Sequence, residues 1–157
     1  YLLEAIKRDG VPYDLISKSL PTVEGAVNDI LAQIVDFSIL FNMDGKVIDT
    51  HIVYDDDRVW PLELSSGMER FISSLAIRVG LMNVSNLPRS NFLAIDEGWG
   101  TMDSDNLNSV HQLFQYLKTQ FQFTFVVSHI ESMRDFVDTL LEIKKISGSS
   151  SVRFSRD

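Results

Sequence analysis

Two short apolar runs, each ending in polar side chains, limit what this chain can fold into more than any other feature. The run 92–95 leads directly into Asp96 and Glu97, and the run 123–127 leads through one serine to His129. Runs of this length and of β-branched or aromatic character predict strands. In open α/β sheets, ligands bind at the carboxyl ends of the strands. We therefore expect these acidic and imidazole side chains to lie together at one edge of a sheet.

The rest of the pattern predicts an α/β fold, with a mostly parallel sheet flanked by helices and a small antiparallel hairpin. Apolar residues recur at helical spacing over 21–36, where Pro21 falls in the first turn, and over about 104–121. Another helix is expected to begin at the Ser-Ser-Gly sequence of 65–67, because serine is a favoured N-cap residue. Residues 37–54 alternate around an Asp-Gly turn, which predicts the hairpin.

Composition argues against several classes of protein. The chain has 157 residues, no cysteine and a formal net charge of −8. No apolar stretch approaches the length that spans a bilayer and no signal peptide opens the sequence, so we expect neither a membrane protein nor a secreted disulfide scaffold. Because binding to nucleic-acid backbone needs clustered Lys and Arg, the acidic balance argues against strong DNA binding by this segment alone.

Acids and a histidine at strand ends fit phosphoryl chemistry. One carboxylate can hold Mg²⁺ on a phosphate chain while a second takes a proton from an attacking water. An imidazole can contact a terminal phosphate oxygen, and the N–H groups at the start of a helix suit phosphate. The sequence contains no G-x-x-x-x-G-K-[ST] phosphate cradle, however. It therefore predicts half of a nucleotide site.

Motifs in a fixed order resemble those of ABC-type ATPases. They are Leu64-Ser65-Ser66-Gly67 for the signature motif, 92–97 for the Walker B strand, Thr101-Met102-Asp103 for the D-loop and Ser128-His129 for the switch histidine. The stretch DEGWGTMD at 96–103 is similar to the SbcC family of double-strand-break-repair ATPases, which includes phage recombination endonuclease subunits. ABC transporters usually have a proline after the catalytic acid, where this chain has Gly98.

The resemblance implies that the chain is the C-terminal lobe of a split, SMC-related ATPase head. Residues 1–36 would contain the point where the returning coiled coil re-enters the head and the first helix of the lobe, and 37–157 would form the lobe itself. The phosphate cradle would belong to an N-terminal Walker A lobe of the same protein. The resemblance also implies ATP as substrate, Mg²⁺ as cofactor and a cytoplasmic location, either nucleoid-associated or in the host cell if the source is viral.

The resemblance assigns roles to the residues at the strand ends. Asp96 would support Mg²⁺ through water, Glu97 would be the general base, and His129 would contact the γ-phosphate of ATP. Trp99, where an aromatic residue is typical, is expected to pack in the core, with a place at the interface between two heads as the alternative.

Other residues are implied to act on nucleotide held by a second head. Ser65, Ser66, Gly67 and Asp103 would reach that nucleotide, so hydrolysis would need two heads in a sandwich. Ser66 replaces the usual first glycine of the signature, and Met68 replaces the more common Gln or Glu.

The implied partners are an SbcD-type metallophosphoesterase nuclease and DNA ends. The basic residues near the C-terminus are candidates for DNA contact: Lys144, Lys145, Arg153 and Arg156. Other classes stay open, namely a chromosome-organising SMC head, the nucleotide-binding domain of a transporter and a non-catalytic scaffold. Gly98 argues against the transporter. The presence of Asp96, Glu97 and His129 argues against loss of activity.

Overall fold

The computed structural model describes residues 10–44, 47–55, 58–100, 107–146 and 148–156. The helices in these residues are α1 (Val11–Leu31), α2 (Gly67–Val84) and α3 (Leu107–Gln120), with short 3₁₀ helices at Leu62–Leu64 and Glu131–Phe136. The strands are β1 (Ser38–Asp44), β2 (Val47–Asp55), β3 (Arg58–Pro61), β4 (Phe92–Asp96), β5 (Phe123–Val127), β6 (Thr139–Ile146) and β7 (Ser149–Arg156). Among the described helices, none combines the length and the apolar character that crossing a membrane requires.

The strands form three separate groups in the described part of the chain. Strands β1, β2 and β3 make an antiparallel sheet in that order, β4 pairs with β5 in parallel, and β6 pairs with β7 antiparallel. The α/β class and the antiparallel hairpin are thus confirmed. The parallel part is smaller than expected, since it consists of one strand pair.

The first helix begins ten residues earlier than the pattern predicts, at Val11 rather than at Pro21, and ends at Leu31 rather than at 36. Pro12 occupies the first turn, and Pro21 lies inside the helix. A proline there cannot donate to the carbonyl of Ser17, one turn earlier. The residues around it are mostly exposed, so water can satisfy that carbonyl. The prediction that Pro21 starts the helix is therefore wrong.

Side chains of α1 cover the outer edge of β1. The Asn28 amide donates from Nδ2 to the carbonyl oxygen of Ile39 at 2.9 Å, and its Oδ1 accepts from the Ile39 backbone N–H at 2.7 Å. The Phe41 N–H donates to the Glu24 carboxylate at 2.7 Å. These bonds replace those of a further strand, so α1 is fixed against the antiparallel sheet and the sheet edge is protected from other chains.

A close approach between two helices positions α2. A Cβ built at Gly80 would lie 2.7 Å from Cγ2 of Val27, which is fully buried on α1. Glycine at position 80 therefore lets the two helix backbones come together. The core continues through α3 and the turn after β4; its most buried large side chains are Trp99, Leu31, Ile39, Ile52, Ile72, Leu113 and Leu117.

Candidate active site

The carboxyl ends of β4 and β5 lie side by side. Asp96 is in register with Val127, and the Glu97 backbone N–H donates to the Val127 carbonyl oxygen at 3.1 Å. His129 Nδ1 lies 3.0 Å from Oε2 of Glu97 and 3.3 Å from Oε1. Both side chains are more than half exposed, at 75% for His129 and 52% for Glu97. The prediction that Asp96 and His129 follow neighbouring strands is confirmed, and the structure adds the direct Glu97–His129 contact.

The backbone after β4 turns through the left-handed region. Glu97 has φ +62°, the only positive φ of a non-glycine residue among those described, and Gly98 has φ +104°. A non-glycine residue in this region costs on the order of 1 kcal/mol or more and persists only where the surroundings hold it. A Cβ at Gly98 would lie 2.5 Å from the ring of Phe71. Glycine is thus required at 98 for both conformation and space.

Trp99 lies inside the core rather than at the surface. It is fully buried, with its ring edge-on to Phe71 at 4.7 Å and stacked on Phe114 at 5.4 Å. Its indole Nε1 is buried and has no hydrogen-bond partner among the described residues. The expectation of core packing is confirmed, and this position within the lobe does not favour the alternative of lining a surface between heads.

A capping box starts α2. The Ser66 hydroxyl accepts from the Glu69 backbone N–H at 3.2 Å, and the Glu69 carboxylate accepts from the Ser66 N–H at 2.7 Å. The Arg70 N–H donates to the Ser66 carbonyl oxygen. The N–H groups of Gly67 and Met68 then have no acceptor among the described residues. These two donors are available to an anion in front of the helix.

The Tyr54 hydroxyl of β2 braces this helix start by donating to the Glu69 carboxylate. Burial raises the pKa of Tyr54 to about 12, and the hydrogen bond to Glu69 adds to the rise. Burial alone would raise the pKa of Glu69, but the hydrogen bonds from Tyr54 and Ser66 outweigh it and hold that pKa below its ordinary value. The antiparallel sheet therefore fixes the orientation of the first turn of α2.

Ser65 is turned inward at this helix start. Its side chain is buried, and its hydroxyl donates to the Leu62 carbonyl oxygen at 2.7 Å. Met68 is also buried, so this position contributes packing and no polar side chain. Among the described residues, no hydrogen bond or ion pair joins the 65–67 segment to Glu97 or His129. Asp103 lies outside the described residues.

The chain has relatives among known sequences, although no protein-family model matches it. An uncharacterized protein, R555, of Acanthamoeba polyphaga mimivirus is 34% identical over 97% of the chain, and the chain spans 12% of its length. The SbcC subunit of the SbcCD nuclease from Staphylococcus aureus (strain JH9) is 31% identical over 59% of the chain, which spans 10% of its length. The chain thus spans about a tenth of the length of these relatives.

A solved structure has the same fold. It is described as "Structural biochemistry of ATP-driven dimerization and DNA stimulated activation of SMC ATPases", and it matches with a TM-score of 0.72 and 16% identity over 90% of this chain and 88% of the other. The chain has the fold of the C-terminal lobe of an SMC ATPase head, and it is similar in sequence to SbcC.

Two residues of this head lobe position its signature segment and were not predicted as site residues. Glu69 had a readable signal, because Ser66 and Glu69 have the spacing of a capping box. No sequence pattern indicated Tyr54, since its contact with Glu69 joins a strand to a helix fifteen residues away.

The acid at the end of β4 in the head lobe suits a weakly held hard cation. Asp96 is exposed, and no group of three acidic or histidine side chains that could cage a metal occurs in the described part of the chain. Mg²⁺ typically keeps several waters and binds through one or two carboxylates together with substrate phosphates. A single exposed carboxylate fits that chemistry.

The basic residues near the C-terminus lie on one two-stranded ribbon but not on one face. Glu142 is in register with Arg153, and Lys144 lies 3.3 Å from the Glu142 carboxylate. Lys145 follows Lys144 along β6 and so points to the opposite face. The side chain of Arg156 lies outside the described part of the structure. Lys144 and Lys145 therefore do not form one basic cluster for DNA contact.

Proposed function

We propose that this lobe is the C-terminal half of an ATP-hydrolysing head in a DNA-repair machine. ATP would drive the dimerisation of two heads, and hydrolysis would release them and so regulate a partner nuclease that acts on DNA ends. The observation that carries the proposal is the contact between Glu97 and His129 beside Asp96, at the ends of two parallel strands.

Glu97 and His129 have the geometry of a base and its partner. The Glu97 carboxylate can accept a proton from an attacking water, while its other lone pairs can accept a hydrogen bond from Nδ1 of His129 when that nitrogen carries a proton. That bond would fix the ring, and Nε2 could then donate to a terminal phosphate oxygen when both ring nitrogens carry a proton. Asp96 would hold Mg²⁺ through water, and the ion would neutralise charge on the phosphate oxygens.

A second head would bring a helix start to the nucleotide, because within the described part of one lobe the helix start is not bonded to Glu97 or His129. The free N–H groups of Gly67 and Met68 lie at the positive end of the α2 dipole, which suits a γ-phosphate. Because this helix start is not bonded to Glu97 or His129 within the described lobe, we assign Ser65, Ser66 and Gly67 to the nucleotide of the opposing head. Asp103 is assigned to the same interface by the D-loop motif alone.

An N-terminal lobe with a Walker A cradle is the partner that completes one site. One face of the β4–β5 pair is apolar and exposed, with Phe92 at 49%, Phe123 at 58%, Phe125 at 42% and Val127 at 39%. The rings of Phe92 and Phe123 stack at 5.6 Å on that face. Parallel strands are normally covered on both faces, so this face suits the missing lobe.

The descriptions of the similar proteins suggest a nuclease and DNA as partners. The S. aureus relative is described as part of the SbcCD nuclease, and the solved SMC structure is described in terms of DNA-stimulated activation. We therefore infer an SbcD-type nuclease and DNA as partners of the whole protein. The second candidate is a chromosome-organising SMC head, which the structural match to SMC ATPases favours.

The test compares two variants of the complete head, this lobe assembled with an N-terminal Walker A lobe. Glu97→Gln should reduce ATP turnover by about 10²–10⁴-fold while ATP still binds and head dimers accumulate. Ser65→Arg should leave ATP binding by one head intact and abolish both dimers and turnover, because the long cation cannot occupy the buried position of the Ser65 hydroxyl and so projects in front of the helix start. Glu131→Gln, an exposed acid nearby, serves as the control. A Glu97→Gln head with wild-type turnover would contradict the proposal.

A further inference from the structure

A column of aromatic rings holds the Glu97 turn from inside the lobe. We use "aromatic column" for Phe71, Trp99, Phe114 and Phe136. Trp99 contacts Phe71 of α2 at 4.7 Å and Phe114 of α3 at 5.4 Å, and Phe114 stacks on Phe136 at 5.8 Å. These rings come from α2, from α3, from the turn after β4 and from the 3₁₀ helix that follows His129. Aromatic pairs at such distances attract each other beyond the effect of their buried area.

The column reaches the Glu97 backbone through Gly98. Ring atoms of Phe71 lie 2.5 and 2.7 Å from the point where a Cβ on Gly98 would sit, so the ring packs directly on the turn. Glu97 itself keeps a left-handed φ of +62°. Such a conformation persists only where neighbours hold it. Its supports are the Glu97 N–H bond to Val127 and the packing of Phe71 and Trp99 around Gly98.

Phe71 also connects the turn to the signature segment. It lies on α2 four residues after Gly67, which places both residues on one side of a rigid helix. A change in the position of the helix start therefore moves the Phe71 ring against the turn that carries Glu97. Because the interior is close-packed, a movement of the Phe71 ring displaces the turn as well.

We propose that Phe71 and Trp99 are positioning residues for Glu97, and that through them the start of α2 holds the Glu97 carboxylate in its contact with His129. The inference rests on the proposed role of the head in ATP hydrolysis. It connects the base of one head to the helix that would face the nucleotide of the other.

Ring volume, rather than the indole N–H, is what the column requires of Trp99. The buried Nε1 has no acceptor among the described residues, so its loss removes no hydrogen bond seen there. Trp99→Phe should therefore retain most of the activity. Trp99→Leu should not, because it removes the stacking surface for Phe114.

The experiment uses the complete head and Phe71→Leu, with Phe121→Leu as the matched control. Phe121 is a buried phenylalanine of the same core that lies outside the column. Phe71→Leu should lower kcat by about 10- to 100-fold, since displacement of a reacting group by roughly 1 Å costs about that much. The Kd for ATP and the fraction of head dimer should match those of Phe121→Leu. In a Glu97→Gln head, Phe71→Leu should cause no further loss, because it acts through that carboxylate.

A second readout does not depend on turnover. His129 is one of three histidines, so a lobe labelled with ¹⁵N-histidine and assembled with an unlabelled N-terminal lobe gives a simple spectrum. Phe71→Leu and Trp99→Leu should move the His129 Nδ1 resonance toward its position in Glu97→Gln, and Phe121→Leu and Trp99→Phe should not. If Phe71→Leu equals Phe121→Leu in both kcat and the His129 resonance, the proposal is overturned. If Glu97→Gln leaves turnover unchanged, the proposed function fails, while the His129 resonance still decides whether the column positions Glu97.

Discussion

Removing the hydroxyl of Tyr54 tests how the signature segment is held. Tyr54→Phe keeps the ring that stacks on Trp60 at 5.4 Å and deletes only the bond to Glu69. A hydrogen bond to a charged group contributes about 1.5–3 kcal/mol. Tyr54 is only half-buried, so solvent screening reduces this value, and we expect a loss of about 1–2 kcal/mol in the free energy of unfolding.

The pH dependence of this loss follows from the two shifted pKa values. The lowered pKa of Glu69 means that its contribution is present above the ordinary value of 4.5 and is lost as the pH falls through the folded value. The raised pKa of Tyr54 means that its contribution is complete below 10 and is lost as the pH rises toward about 12. The difference between wild type and Tyr54→Phe should therefore be largest between these limits and shrink on both sides.

Urea unfolding of the lobe measures both effects. Tyr13→Phe is the matched control, because the described residues offer the Tyr13 hydroxyl no hydrogen-bond partner. A double-mutant cycle with Glu69→Ala, which removes the acceptor, should give a coupling energy of about 1–2 kcal/mol. In the complete head, Tyr54→Phe should weaken the ATP-dependent head dimer and leave ATP binding by one head unchanged. A stability loss no larger than that of Tyr13→Phe, or one that stays constant across pH, would refute the reasoning.

Two further outcomes are expected. Gly80→Ala places a methyl group 2.7 Å from Cγ2 of Val27 and should destabilise the lobe by about 1–3 kcal/mol in urea unfolding. The control, Gly25→Ala on α1, meets nothing within 4 Å and should stabilise the lobe by about 0.5–1 kcal/mol. Equal effects of the two substitutions would show that the helix contact does not depend on glycine. The isolated chain should not bind ATP tightly, because a Walker A cradle supplies most of the N–H groups around the β-phosphate; micromolar binding in calorimetry would contradict this.

The placement of the candidate site residues at the strand ends could largely be predicted from the sequence. The runs 92–95 and 123–127 predicted neighbouring strands, and the polar residues that follow them, Glu97 and His129, lie in contact. The turn that follows has a left-handed φ at Gly98, a conformation that glycine adopts without strain. These features follow from local chemistry: strand periodicity, strand ends and the conformational freedom of glycine act within a few residues, so the sequence carries them directly.

Only the tertiary structure decided which contacts hold these parts in place. Pro21 predicted a helix start, but the helix already begins at Val11, with Pro12 in its first turn. Glu24 and Asn28 of the same helix form side-chain hydrogen bonds with β1. The sequence also did not predict that the Ser65 hydroxyl turns inward toward the Leu62 carbonyl oxygen.

The residues that position the site were the least predictable. The Tyr54–Glu69 bond joins a strand to a helix, and the aromatic column joins α2, α3 and the turn after β4. Such contacts depend on register and on the packing of segments far apart in the chain, and no local pattern of residues specifies them. The sequence thus determined which polar groups follow the two parallel strands, and long-range packing determined how they are aligned.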